Sequence, residues 1–316
     1  MVVVASDEDD EHDNGLLVYT ANEIMKIGLL LVGFTRRRLR RAKKKTNLDR
    51  FRGHFGSNPN VIAEILEDLQ TTEVEEAHVP SEELNIKHFL MAMHHLKRHP
   101  TEVEREPIFD ISHVSGRDEC WFYIEKVQAL KAQKIYWPED FGDDIWVISV
   151  DGTHCWIQEP QHPSWSQDRE HFSHKHNKAG LNYELGISLW LSRLVWMKGP
   201  TKAGRNDLAV FIGEGLKAKL KATGKKGIGD GGYRGHPGEL STPNSHDSKE
   251  ANKFKSRALK RHEKFNGLTK NFDCLSGRFR HSVDRFANCF EAVCVICQYQ
   301  MENGSPLYDI LIEDMS

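Results

Sequence analysis

The hydrophobic period of this chain changes across residues 137–144, and that change limits what it can fold into. Upstream, apolar residues recur at helical spacing: Val61, Ile62, Ile65, Leu66 and Leu69 behind Asn58-Pro59, then Leu84, Phe89, Leu90, Met93 and Leu96. Residues three or four apart share one helix face, and Asn-Pro is a helix start signal. A short helix opened by Pro100 and a longer one over 116–134 are also expected. The breaker-rich stretch Trp137-Pro-Glu-Asp-Phe-Gly-Asp-Asp reads as a linker. Downstream, the spacing predicts strands over 145–150, 183–191, 194–197 and 226–229. It predicts helices over 207–221, 256–270 and 288–301, with a loop over 237–252. Neighbouring strands followed by helix, strand and helix suit an α/β core with a mixed sheet.

With 316 residues, the chain has room for one large domain and a smaller one. Residues 1–50 read as a flexible tail, 51–137 as a small all-α domain, 145–303 as the α/β domain and 304–316 as a C-terminal tail. In the helical domain, a short helix, a turn and a longer helix beginning near Ser115 form a helix-turn-helix pattern. Arg117 at the start of that last helix is a candidate DNA contact, although a plain three-helix bundle gives the same pattern.

The net charge of −3 hides an asymmetry. Residues 193–287 hold 21 Lys and Arg against 9 Asp and Glu, a balance of +12, which suggests a polyanionic partner. A merely solvated basic face is the alternative. Eight cations fall within residues 36–45, the pattern of a nuclear import signal, a phosphate-binding arm or a solvated helix end. The apolar stretch 24–34 is about half as long as a membrane span needs, and it lies too deep, behind an acidic head, for an orthodox signal peptide. No membrane segment is expected. Six cysteines without a paired framework point to a reducing compartment. Cys294 and Cys297 form a CxxC inside an apolar periodic run, which reads as buried helix cysteines and not a zinc site.

Three carboxylates stand out. Asp151 closes the apolar run Ile-Trp-Val-Ile-Ser-Val, Asp230 closes a second short strand, and Glu263 lies in a charged helix, at spacings of 79 and 33 residues. Carboxylates at strand ends sit where open α/β sheets bind ligands. Asp, Asp and Glu from separate elements are the hard oxygen ligands that two Mg²⁺ or Mn²⁺ ions need. Such a site would use one ion to activate the nucleophile and the other to stabilise the leaving oxygen. Turn-forming Asp-Gly and a surface salt-bridging Glu are the plain alternatives. Gly267 would let the helix of Glu263 approach the sheet, with Lys260 and Lys270 flanking the metal and holding phosphates. Lys264 and Arg234 extend the candidate DNA-binding set. Asp247 and Glu250 compete for the third place, and Asp207 reads as the N-cap of the 207–221 helix. His171, His174 and His176 form a rival transition-metal cluster, without an acid or Cys partner at convincing spacing.

Several stretches in order resemble the DDE-type transposases of the PIF/Harbinger and IS5-like group, the DDE superfamily endonucleases. They are Val150-Asp-Gly-Thr-His, Phe172-Ser-His-Lys, Ala179-Gly-Leu-Asn-Tyr-Glu, Asn206-Asp-Leu-Ala-Val-Phe, Gly229-Asp-Gly-Gly-Tyr-Arg-Gly, Arg261-His-Glu-Lys-Phe-Asn-Gly, Leu275-Ser-Gly-Arg-Phe-Arg-His and Cys289-Phe-Glu-Ala-Val. The resemblance implies an RNase H-like catalytic domain with Asp151, Asp230 and Glu263 as its metal-binding triad. It implies Mg²⁺-dependent cleavage of DNA at transposon ends and strand transfer by the freed 3′-hydroxyl. It also implies a nuclear location, a possible Myb-like DNA-binding partner and a homo-oligomer when active. Gly231-Gly232 departs from relatives that place a bulkier residue before Gly-Tyr. A domesticated DNA-binding or scaffolding protein and a general nuclease are the other readings.

Overall fold

The computed structural model describes residues 16–158 and 169–311. The acidic head 7–13 and the end of the C-terminal tail lie outside the described residues.

The N-terminal half is helical. Its elements are α1 (Ala21–Leu31), α2 (Arg36–Arg41), α3 (Lys44–Phe55), α4 (Pro59–Thr71), α5 (Ile86–Arg98), α6 (Glu102–Phe109), α7 (His113–Ala129) and the single turn α8 (Lys131–Lys134). Local chemistry sets several of the starts. Thr20 and Thr101 each close a capping box with the Glu three residues on, Asn85 caps α5, and Ser112 caps α7. Residues 16–50 correct the expectation of a flexible tail. Ile24 and Leu29 of α1 and Phe51 and Phe55 of α3 are fully buried or nearly so. At Gly28 a β-carbon would run into the rings of Phe51 and Phe55, so these two helices cross tightly at the glycine.

The C-terminal half holds β1 (Trp146–Trp156), β2 (Phe172–Ser173), β3 (Lys178–Ser188), β4 (Leu194–Lys202), β5 (Lys226–Ile228) and β6 (Leu240–Ser241). β1 is central, antiparallel to β3 on one side and parallel to β5 on the other. β4 and the short β2 pair with β3, and β6 extends the sheet beyond β5 in parallel. This mixed sheet in a mixed α/β fold is consistent with an RNase H-like domain of the DDE type.

The described residues add five α-helices: α9 (Asp207–Gly213), α10 (Leu216–Thr223), α11 (Lys249–Lys270), α12 (Asp273–Ser276) and α13 (Val283–Glu302). The helix expected over 207–221 is broken in two because Gly215 adopts a left-handed φ of 104°. The expected loop 237–252 contains β6 and the first turn of α11. No described helix is long and apolar enough to cross a membrane.

α13 joins the two halves. Cys289, Phe290, Val293, Cys294, Ile296 and Cys297 are fully buried in one cluster that runs from Ile24 of α1 to Leu181 and Tyr183 of β3. The linker at 137–144 therefore separates no two cores among the described residues. Cys294 and Cys297 are free, buried helix residues. The opposite face of the sheet packs Val147, Ile148 and Val150 against Phe211, Leu216, Leu220 and Tyr233.

Candidate active site

Strand register brings two of the singled-out carboxylates side by side. The last parallel pair between β1 and β5 is Ser149 with Ile228, so Asp151 and Asp230 each lie two residues beyond it. β1 does not end at Asp151, as the sequence suggests. It continues to Trp156 while paired only with β3, and Asp151 sits where the parallel neighbour runs out. Asp230 then turns the chain, its Oδ1 accepting from the Gly232 amide at 2.8 Å to cap the tight turn Gly231–Tyr233.

α11 covers this end of β1, and the motif around Glu263 divides its tasks residue by residue. His262 is fully buried, with Nδ1 3.1 Å from Ser149 Oγ. Phe265 enters the core. Asn266 accepts from Thr153 Oγ1 at 2.7 Å and points its amide at Asp151 Oδ2, 3.4 Å away. Arg261 ties the segment 308–310 to the β3–β4 turn, donating to the carbonyls of Tyr308, Leu191 and Ser188. Glu263 is exposed one turn before Asn266 on the same face of the helix, and its charge acts on Tyr308.

Two expectations for this helix need correction. Gly267 is exposed and a β-carbon there would touch nothing, so it is not the point of close approach; Thr153 and Asn266 make that contact. Lys270 is not available to phosphate. Its ammonium donates to His154 O at 2.6 Å and Leu275 O at 3.2 Å and lies 3.1 Å from Cys155 Sγ, which uses its three hydrogens inside the fold. Lys260, Lys264, Arg234 and Arg117 are exposed, and Arg117 lies 3.3 Å from its neighbour Asp118. Of the acids that competed for the third place, Asp247 is paired with Lys255 at 2.7 Å.

A further carboxylate, Asp207, joins Asp151 and Asp230. Sequence reasoning assigned it to a helix cap, but the cap of α9 is Asn206, whose Oδ1 accepts from the Ala209 amide at 2.7 Å. Asp207 is thereby freed, and its carboxylate lies directly against Gly152, where any β-carbon would collide with it. The same carboxylate approaches Gly232. Asp207 thus comes from the sheet face opposite α11, and the glycines after Asp151 and before Tyr233 make room for it.

The electrostatics follow from this crowding. Burial first, and then the Asp230 and Asp207 charges, push the Asp151 carboxyl up to about 6. Burial also raises Asp207, with Asp230 adding to the rise and Lys175 opposing it. Glu184 pairs across from Gly152 and is buried; desolvation lifts it to about 7 against the hydrogen bond from Trp196 Nε1. Three acids crowded at one point, with an Asn amide beside them, form a hard-oxygen donor set that suits Mg²⁺ or Mn²⁺. A divalent cation there would relieve the repulsion that raises Asp151.

The histidines sort differently from the sequence expectation. Among the described residues, the three side chains whose ligand atoms come within 4.8 Å of one another are His95, His99 and His281, not His171, His174 and His176. Their surroundings oppose a cation. Arg105 Nη1 lies 3.2 Å from His95 Nδ1, and a guanidinium can only donate, so the proton of that imidazole is on Nε2. That nitrogen offers no lone pair, and the Arg105 and Arg280 charges act on the same cluster.

Residues 150–298 match the sequence model of the DDE superfamily endonuclease family. The matched segment contains Asp151, Asp207, Asp230 and Glu263 and supports a domain of nuclease or transposase type. The N-terminal helices lie outside it. No curated protein and no solved structure matches the chain.

Proposed function

We propose that the chain is a divalent-metal-dependent DNA endonuclease of the DDE transposase type. The observation that carries this reading is the convergence of Asp151, Asp230 and Asp207 where β1 outruns β5. Asp151 and Asp230 would hold the ions with Glu263 of α11 as the third ligand, and Asn266 orients Asp151. Mg²⁺ or Mn²⁺, two ions in the full reading, supplies charge stabilisation and a lowered pKa for the attacking water or 3′-hydroxyl. The side chains position: the turn Gly231–Tyr233 fixes Asp230, and α11 fixes Asp151 through Asn266. Lys260, Lys264 and Arg234 offer exposed cations to the DNA backbone.

In this reading the substrate is DNA at transposon ends, the freed 3′-hydroxyl performs strand transfer, and the protein works as a homo-oligomer in the nucleus. A helix-turn-helix of α6 and α7, with Arg117 at its start, or a Myb-like partner brings the ends in. The test is cleavage of duplex DNA bearing candidate terminal repeats in Mg²⁺, comparing wild type with Asp151→Asn and Glu263→Gln. Loss of cleavage in both variants supports the assignment. Full activity in Asp151→Asn sinks the site, and full activity in Glu263→Gln removes Glu263 from it. Binding without cleavage in the wild type would instead support a domesticated DNA-binding protein, and cleavage without end preference a general nuclease.

A further inference from the structure

A pocket of about 250 Å³ opens beside Asp207, where the neighbouring Arg205 is already paired with Glu214 at 2.8 Å, and the β2–β3 turn faces that acid. Gly152, Asp207 and Gly232 form one side, and His174, Lys175 and His176 line it from the β2–β3 turn. That turn is built to hold its position. Ser173 pairs with Lys178 to close it, Ser173 Oγ accepts from the His176 amide at 3.3 Å, and Asn177 takes a left-handed φ of 53°. The His176 ring stacks on His154 of β1, with centroids 4.4 Å apart and planes 17° from parallel. His154 in turn lies against Gly180 and holds Asn182 Oδ1 at 3.1 Å.

Lys175 is the residue immediately before this stacked imidazole, so the turn carries it towards the acids. Its ammonium makes no hydrogen bond or ion pair with any described residue, yet its charge acts on both Asp151 and Asp207. Both imidazoles of the stack are held below the ordinary histidine pKa, chiefly by burial, His154 at about 4. The fixed positive charge of the turn itself is therefore Lys175.

We propose that the β2–β3 turn is the phosphate-binding wall of the carboxylate site, with Lys175 holding a non-bridging oxygen of the nucleic-acid phosphodiester presented there. The inference rests on the metal-dependent nuclease reading above. Three carboxylates repel a phosphodiester, and a cation across a small pocket offsets that repulsion. The same cation opposes the divalent ions that the carboxylates attract. Lys175 thus favours phosphate and disfavours metal, two effects of opposite sign that no merely structural lysine would produce.

The experiment uses the full chain, with Lys175→Gln and Lys175→Arg beside wild type and Asp151→Asn. Mn²⁺ affinity is measured without DNA, and affinity for a duplex oligonucleotide is measured in Ca²⁺ over a range of salt. Lys175→Gln is expected to tighten Mn²⁺ about two- to fivefold, the effect of deleting one nearby charge in a partly screened site. It is expected to weaken duplex binding about three- to tenfold and to reduce the salt slope by about 1. Lys175→Arg restores both values. Unchanged DNA affinity in Lys175→Gln overturns the proposal, and so does a parallel loss of Mn²⁺ and DNA, which marks a damaged turn. If wild type takes up no Mn²⁺, or Asp151→Asn takes it up equally well, the metal reading fails and this inference falls with it. If those two controls behave and Lys175→Gln moves nothing, only the phosphate wall is wrong.

Discussion

Glu291 and Asp151 are both carboxylates drawn into the fold, and the fold treats them in opposite ways. Glu291 on α13 accepts from Lys131 Nζ at 2.5 Å, Gln128 Nε2 at 2.7 Å and Tyr183 Oη at 3.2 Å. One acid thereby ties α13 to α7, α8 and β3, with its charge matched by a lysine. Asp151 has the Gly152 amide and a long contact to Asn266, and the charges of Asp230 and Asp207 raise it with only Lys175 opposing them. A buried acid that is fully partnered belongs to the architecture. Acids crowded together, without cations enough to neutralise them, are a device awaiting a ligand.

That contrast can be broken at either end. The largest effect is expected at the architectural acid: Glu291→Ala leaves the buried Tyr183 hydroxyl and Gln128 without their acceptor and the partly exposed Lys131 without its ion pair, destabilising the fold by about 2–4 kcal/mol. Thermal denaturation with and without Mn²⁺ would check it, and the loss should be the same in both. A loss below about 1 kcal/mol would mean that the triad of contacts around Glu291 is not structural.

The opposite sign is expected at the site. Asp151→Asn removes a desolvated, repelled charge and should stabilise the metal-free protein by about 1–3 kcal/mol at neutral pH. The pH dependence follows from linkage. The folded pKa of about 6 lies above the ordinary 3.8, so between these values the folded chain holds more proton than the unfolded one. Wild-type stability from this group is therefore greatest below pH 3.8, falls as pH rises towards 6 and is level above that. Denaturant titrations at pH 4.5 and 7.5 should show a smaller difference in Asp151→Asn than in wild type. An equal difference would mean that Asp151 is not the crowded group.

A smaller loss is expected at Gly152→Ala. The new methyl occupies the place of the Asp207 carboxylate, and displacing it costs about 1–2 kcal/mol. Mn²⁺ affinity should fall with it; an unchanged affinity would remove Asp207 from the metal site. The smallest effect, a gain of about 0.5–1 kcal/mol, is expected for Gly267→Ala on the open side of α11. A loss there in urea titration would revive the idea that Gly267 is where helix and sheet touch.

These positions also show what the sequence could and could not convey. The switch from helical to strand period placed the mixed sheet, because burial on one face leaves a periodic record. Asp151 and Asp230 were legible since each follows a short expected strand, and parallel register then sets them level. Asp207 was hidden because Asn206 and Asp207 are equally good capping residues, and only the fold shows which one caps. Gly152, for which a turn was only the alternative reading, is a clearance for Asp207. Lys270 was misread because a charged helix face does not reveal which cation turns inward to spare carbonyls. Residues 16–50 were taken for a tail because their apolar positions bury against α4 and α5, contacts with no periodic trace in so short a stretch.

The central claim is that the crowded carboxylates are a divalent-cation site. Its most direct test is Mn²⁺ binding to the full chain, measured by calorimetry or by electron paramagnetic resonance of free Mn²⁺, in wild type and in the Asp151→Asn, Asp230→Asn double variant. The expected result is saturable binding in the wild type, lost in the double variant while its thermal stability holds or rises. Binding that survives both substitutions, or no binding in the wild type, would contradict the account.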